Sequence, residues 1–429
     1  MQKIVIEEPY RFIPPYRGKL WGELFRPALP LYLRLSHKIV QVECRGLDRL
    51  QASVRDGHGV LLAPNHCRLS DPMTMGWIVR ASGIHLYTMA SWHLFKQESL
   101  FDRLSAWMMR RLGAFSILRE GTDRAALTTA IDILASADRP LVIFPEGVVS
   151  RANDHLGPLM DGVAFMARMA ARKAAKQNRP GVLIHPVALR YVFLDDVEQA
   201  VAPFVEEVET RLTWQPDPRR MMSERIERIA EAMLTLKELD HFGHAREGSF
   251  DERRKSLIDS LLRPIEREWI VGDAVDDSTI SRVKEIRAAI LPKLLDERVS
   301  SEEKQHLHRQ LNDAYIAQQL HFHSAGYIGP DAPPEHLLET VERIEEDLTD
   351  TTRNHGRFKV MLDIGEPIPV PVERDKRRGE RNEPDPLLEE LSARLAAMLE
   401  HSGRKVAQSR NGTARPSSII RDAASLSGI

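Results

Sequence analysis

The sequence predicts an α/β fold, a mostly parallel sheet flanked by helices, with a large helical insertion. Two observations carry this. Short apolar runs such as Gly59–Ala63 and Leu141–Phe144 alternate with longer stretches of helical periodicity between residues 40 and 195, and strands alternating with helices imply a parallel sheet. The alternation then stops. Residues 217–352 are charge-rich with few β-branched runs, before a strand pattern returns at Phe358–Ile364.

Taken in order, residues 17–39 read as one or two short amphipathic helices. Leu20, Trp21, Leu24, Phe25, Leu31 and Leu35 are flanked by Arg17, Lys19, Arg26, Arg34 and Lys38 and broken by Pro27 and Pro30. Packing on the domain is the simpler expectation for them, interfacial anchoring the other. Strands are expected at Val40–Glu43, Gly59–Ala63, Ile84–Met89, Phe115–Leu118, Leu141–Phe144 and Val182–Leu189. Helices are expected at 72–83, 92–112, 122–136 (with Thr122 as the cap) and 158–176. Further helices near 218–239, 250–268, 279–295, 301–325 and 334–350 suggest a bundle.

The expected division is an N-terminal amphipathic segment (1–39), an α/β domain (40–204), a helical insertion (205–352) and a last strand of the α/β domain (353–372). A charged linker, a helix over 386–402 and a disordered tail from 403 complete the chain (373–429).

Composition narrows the function. Lys plus Arg number 60 against 62 Asp plus Glu, so no global field draws the chain to nucleic acid, and no nucleic-acid partner is expected. Two cysteines, Cys44 and Cys67, fit a reducing compartment. The first sixteen residues lack the apolar core of a signal peptide, and no eighteen-residue apolar stretch exists. A peripheral, cytoplasmic placement on the inner face of a membrane is the expectation.

Four short blocks carry the chemistry. Asn65-His66-Cys67-Arg68-Leu69-Ser70-Asp71 directly follows an apolar strand, and strand ends are where α/β folds place their sites. His and Asp five apart can meet in a short loop. The carboxylate then fixes the imidazole tautomer and stabilises the imidazolium as the ring takes a proton. On spacing alone a structural pair is the simpler reading. Phe144-Pro145-Glu146-Gly147 ends another strand, and its glycine permits backbone conformations other residues resist. Gly113 to Arg119 ends in an arginine able to grip a phosphate bidentately. Ile184–Leu189 is an apolar strand with a central Pro186, which marks an edge or a bulge.

In this order the four blocks resemble those of the glycerolipid acyltransferases, typified by 1-acylglycerol-3-phosphate acyltransferases. The matching patterns are NHxxxxD (Asn65–Asp71), GxxxxxR (Gly113–Arg119), FPEG (Phe144–Gly147) and a Pro-containing apolar strand. The resemblance implies that His66 deprotonates an acceptor hydroxyl while Asp71 orients it. The hydroxyl then attacks a thioester of acyl-CoA or acyl-carrier protein. Neither a covalent enzyme intermediate nor a metal or other cofactor is needed.

Arg119 would bind an acceptor phosphate. Glu146 and Gly147, with Asn65, Gly113 and Pro145, would shape the substrate site. Cys67 occupies a position the family leaves variable and is not expected to be a nucleophile. One departure stands out: Val149 replaces the arginine that often follows FPEG, and Arg151 is the candidate substitute.

The expected partners are a lipid acceptor, an acyl thioester donor and a membrane surface. The helical insertion would add an acyl-channel cover, a protein partner or self-association. Its paired histidines, His306 with His308 and His321 with His323, fall on different helix faces and read as solvated surface rather than metal ligands. The competing classes are a non-catalytic lipid-binding scaffold and an acyl thioester hydrolase.

Overall fold

A computed structural model describes residues 10–96, 99–119, 121, 123–270, 278–296, 298–323, 326–329, 332–373 and 385–413. It begins with two short helices, α1 (Leu20–Phe25) and α2 (Leu29–His37). The α/β part follows as β1 (Ile39–Arg45), α3 (Leu47–Arg55), β2 (Gly59–Pro64), α4 (Asp71–Ser82), β3 (Tyr87–Ser91), α5 (Leu100–Arg111) and β4 (Ala114–Ile117). It continues through α6 (Arg124–Ser136), β5 (Leu141–Val142), α7 (Asp161–Lys176) and β6 (Val182–Phe193). Six helices come next: α8 (Val197–Arg211), α9 (Met222–Phe242), α10 (Phe250–Trp269), α11 (Thr279–Leu294), α12 (Ser301–His321) and α13 (Pro334–Thr349). The chain then returns to the sheet as β7 (Phe358–Ile364) and β8 (Ile368–Pro369) and closes with α14 (Pro386–Thr413).

The eight strands form one sheet in the order β1-β7-β6-β2-β5-β3-β4, with β8 also on β6. Only the pairings of β6 with β7 and β8 are antiparallel; the rest are parallel. The mostly parallel α/β expectation holds, and β7 enters mid-sheet, between β1 and β6. Every residue of β2 is buried, as continuous apolar runs require in a sheet covered on both faces.

The six helices divide between two cores. Val201 and Phe204 of α8, Ile226 of α9 and Leu338, Val341 and Ile344 of α13 share the core under β1, β6 and β7. Residues of α10, α11 and α12, including Leu261, Ile286 and Ala314, build a separate core that reaches Trp92.

Several local expectations change. Helices α3 and α8 are not among the expected elements; α8 is capped by Asp196, whose side chain accepts the Gln199 N–H. Residues 92–112 are not one helix: a 3-10 turn over Trp92–Phe95 precedes α5. Helix α6 is capped by Asp123, whose side chain accepts the Ala126 N–H; Thr122 lies outside the described residues.

The expected disorder from 403 is overturned as far as Thr413, because α14 continues to that residue. Tertiary bonds stabilise this Ser- and Gly-containing stretch: Arg190 donates to Ser402 Oγ, and Arg410 pairs with Glu335 at 2.6 Å. Most of the charged linker and the tail beyond Thr413 lie outside the described residues. Pro186 is not on an edge strand. It stands mid-sheet where the β6 partner changes from β7 to β8, so its missing N–H costs no ladder bond on that side.

Candidate active site

The loop that carries His66 and Asp71 is the six-residue connection from β2 to α4. Helix α4 begins at Asp71, with Pro72 in its first turn. Both suit that position: an acidic group complements the helix N-terminus, and proline gives up an N–H that would be unbonded there. The loop is short, so Asp71 turns back under His66. His66 Nδ1 donates to Asp71 Oδ2 at 2.9 Å. The same oxygen accepts the Arg68 backbone N–H at 2.9 Å. Asp71 Oδ1 accepts the Tyr191 hydroxyl at 2.7 Å.

Asp71 is completely buried. A carboxylate without solvent and surrounded by donors can only accept, so Nδ1 carries the hydrogen and Nε2 presents a lone pair. No described group hydrogen-bonds to Nε2. The imidazole is stacked on Phe144 with ring centroids 4.1 Å apart, which fixes its plane.

Tyr191 is missed because the strand is expected to stop at Leu189, whereas β6 runs on through Tyr191 and Val192 to Phe193. Its hydroxyl also lies 3.0 Å from Ser70 Oγ and from Thr74 Oγ1. Cys67 is buried, and desolvation with the nearby Asp71 charge pushes its thiol well above the usual range. A thiolate is disfavoured there, against any nucleophilic role.

Strand β2 stops at Pro64 while β6 continues, so the N–H groups of Leu189, Tyr191 and Phe193 face an edge without a strand. Three side chains serve them in turn. Asn65 Oδ1 accepts from Leu189 at 2.7 Å, Asn153 Oδ1 from Tyr191 at 2.7 Å, and Glu335 from Phe193 at 2.9 Å. Asn65 Nδ2 returns a bond to the Leu189 carbonyl. Asn65 therefore pins the loop to the sheet and has its amide engaged there, a placement that differs from the substrate contact the sequence suggested.

Strands β2 and β5 are neighbours, so the loops after them meet. Glu146 reaches across: Oε1 accepts the His66 backbone N–H at 2.7 Å and Oε2 the Gly157 N–H at 2.8 Å. Both oxygens serve backbone, and burial pushes the carboxyl up to about 7 against the lowering effect of these two bonds. Pro145 contributes its carbonyl to Met160 N–H at 2.8 Å. Gly147 has φ +70°, and a Cβ there would run into Met160 Sδ, so glycine is required.

Gly113 and Arg119 flank β4, three strand spacings, about 14 Å, from β2. Gly113 sits at the N-terminal end of β4, the opposite end of the sheet from His66, with φ +101° and the Leu86 carbonyl against its face. Its backbone conformation and the close Leu86 carbonyl account for a glycine at this position. Arg119 is at the correct end. His93 is pushed down to about 4 by burial, then by the positive charges of Arg119, Lys96 and Arg287. The charges of Arg119, Lys96 and Arg287, the last on α11, thus all bear on His93.

Arg151 does not point to open space. It has φ +54°, and its guanidinium pairs with Glu346 at 3.0 Å and reaches Thr352 Oγ1. Val149 lines a small crevice with Phe322, His323 and Arg343. The stretch after FPEG is therefore covered by α12 and α13. Of the paired histidines, His306 lies near Glu268 and His323 pairs with Asp347. No group of three or more metal-ligating side chains occurs among the described residues, and none of their helices is long and apolar enough to cross a membrane.

Residues 41–190 match the family model described as Acyltransferase, a span holding most of β1, all of β2 to β5, most of β6 and the loops above. Over this span, about a third of its length, the chain is similar to acyltransferases. A similar curated protein is a 1-acyl-sn-glycerol-3-phosphate acyltransferase of Streptococcus pneumoniae (strain ATCC BAA-255 / R6). It is 31% identical over 116 residues, 27% of this chain and 39% of that protein, so the match spans about two-fifths of the relative's length.

Proposed function

We propose that the protein is an O-acyltransferase that moves a fatty acyl group from acyl-CoA or acyl-carrier protein to a hydroxyl of a lysophospholipid or glycerol phosphate-type acceptor. The observation that carries this reading is the His66–Asp71 bond, which holds Nδ1 protonated and turns Nε2 into a base at the end of β2. Nε2 takes the acceptor proton as the hydroxyl oxygen attacks the thioester carbonyl carbon. Asp71 stabilises the imidazolium. The tetrahedral adduct collapses, the C–S bond breaks, and the departing sulfur takes the proton back from Nε2. The products are the ester and the free thiol, and the base is regenerated.

The position of Arg119 at the C-terminal end of β4, with the charges of Lys96 and Arg287 also bearing on His93, supports its binding a phosphate of the acceptor. Val149 carries no charge and Arg151 is paired with Glu346, so this reading assigns the phosphate contact to Arg119. The exposed Leu20, Leu24, Leu31 and Leu35, beside Lys19, Arg26, Arg34 and Lys38, support a peripheral position on a membrane surface that supplies the lipid acceptor. We place that surface on the cytoplasmic side.

The test is incubation of purified protein with labelled acyl-CoA and a total lipid extract, followed by mass spectrometry of the labelled product. A labelled acyl ester is expected from the wild type and none from folded His66→Ala. Near-normal turnover by that variant sinks the mechanism. Labelled free fatty acid as the product would identify a hydrolase instead.

A further inference from the structure

We infer that Glu342, on α13, is a positioning residue for the His66–Asp71 pair and acts through Arg68. The inference rests on the reading of His66 as the base and extends it to the inserted helices.

The connection is short. The Arg68 backbone N–H donates to Asp71 Oδ2, the oxygen that also receives His66 Nδ1. The position of the Arg68 main chain therefore helps to set where that carboxylate points. The Arg68 side chain leaves the loop and ends on Glu342 Oε1 at 2.7 Å. On the way its guanidinium lies 4.4 Å from the centroid of the Phe358 ring and 5.4 Å from that of Tyr191. Tyr191 in turn donates to the other oxygen of Asp71. Fixing the guanidinium thus fixes both sides of the Asp71 environment.

The pair is also expensive for a merely structural contact. Arg68 is 9% exposed and Glu342 3%. A buried ion pair is a poor source of stability, because desolvating two charges offsets most of their attraction, and an apolar pair would serve as well. Glu342 Oε2 finds no hydrogen-bond partner among the described residues, so the hydrogen bonding of this carboxylate is directed at Arg68. What the pair adds is geometry: it ties a loop at residue 68 to a helix 274 positions away.

The rest of α13 repeats the pattern. Glu346 pairs with Arg151, Arg343 donates to the Arg151 carbonyl at 2.8 Å, and His336 meets Asp154 at 2.9 Å. One helix therefore grips both loops that build the site, 65–71 and 147–154. With its last helix in this role, the inserted block is part of the machinery that holds the base.

The experiment uses the full chain and compares wild type, Glu342→Gln, Arg68→Met, the double variant and Glu342→Asp. Steady-state kinetics and the pH profile of kcat/KM are measured, together with the titration of the His66 13Cε1 resonance, assigned by its loss in His66→Ala. Glu342→Gln is expected to lower kcat about 10- to 100-fold with KM for both substrates within about twofold. It should also displace the His66 titration and the limb of the profile that follows it. The double variant should be no worse than Arg68→Met, because the two residues act in series. Glu342→Asp keeps the charge at a shifted position and should give intermediate values; it carries the test if the glutamine variant folds poorly.

Glu266→Gln, which breaks a pair with Arg282 on the far helices, controls for loss of an ion pair and should leave both readouts unchanged. Unchanged kcat in Glu342→Gln overturns the inference. So does a lowered kcat with an undisplaced His66 titration and an additive double variant. Activity in His66→Ala removes the underlying reading and this inference with it. An inactive His66→Ala beside a fully active Glu342→Gln leaves the reading intact and removes the inference alone.

Discussion

Replacing Asp71 by Asn tests the proposed base more sharply than removing the base itself. Asp71 is buried without solvent contact, and its Oδ2 accepts from both His66 Nδ1 and the Arg68 N–H. An asparagine keeps the shape but replaces one oxygen by an NH2 group. If the amide nitrogen turns toward His66, Nδ1 must accept, and the ring hydrogen moves to Nε2, where it blocks proton abstraction. If the amide oxygen turns there instead, the tautomer survives but the charge that stabilises the imidazolium is gone. With charge centres about 4 Å apart and an effective dielectric constant of about 20, that attraction amounts to about 4 kcal/mol. At about 1.4 kcal/mol per tenfold in rate, this is about three decades of kcat.

The assay is continuous release of free thiol from acyl-CoA with a lysophospholipid acceptor, alongside circular dichroism to verify the fold. KM should change little, since neither substrate touches Asp71 in this mechanism. A folded Asp71→Asn protein with kcat within about tenfold of the wild type would refute the assignment of Asp71 as the orienting charge.

Two further outcomes are expected. Arg119→Ala should raise KM for a phosphorylated acceptor about 10- to 100-fold, the loss expected for a charge-assisted bond, with a much smaller effect on the acyl donor; equal effects on both would make Arg119 structural. Glu146 sets a pH dependence of stability. Its carboxyl lies higher folded, at about 7, than the ordinary 4.5, so between those values the folded state binds the extra proton and stability falls as pH rises. The displacement corresponds to about 3 kcal/mol. Urea titrations at pH 5 and pH 8 should show this decline in the wild type and a smaller one in Glu146→Gln. Equal declines would show that Glu146 does not contribute, although Glu339, also pushed up to about 7 by burial, supplies a background slope in both proteins.

Much of the site was legible because its residues are local. His66 and Asp71 lie on one short loop, and FPEG ends a strand whose apolar character is plain. Their meeting required only that β2 and β5 be neighbours, which alternation of strands and helices makes natural. The roles of the accompanying residues were less legible. Asn65, Glu146 and Gly113 read as substrate contacts because they belong to the motifs, yet their atoms face backbone or the far end of a strand. A motif records which residue type is needed at a position and leaves open whether a ligand or the chain itself needs it.

The sequence by itself determined the α/β class, the four ordered blocks, the expectation of a helical insertion over 205–352 and the candidate base. Each follows from period, turn chemistry or spacing, quantities that span a few residues. The tertiary structure decided what lies far along the chain: Tyr191 under Asp71, the insertion of β7 between β1 and β6, the burial of Arg151 against Glu346, and α13 across both site loops. Glu335, Glu339, Glu342 and Glu346 fall in the charge-rich stretch expected to be helical near 334–350. In the folded chain they are buried, and three of them are paired with Arg410, Arg68 and Arg151. Helical periodicity fixes which residues share a face. Only long-range packing decides whether that face meets water or the loop that carries His66 and Asp71.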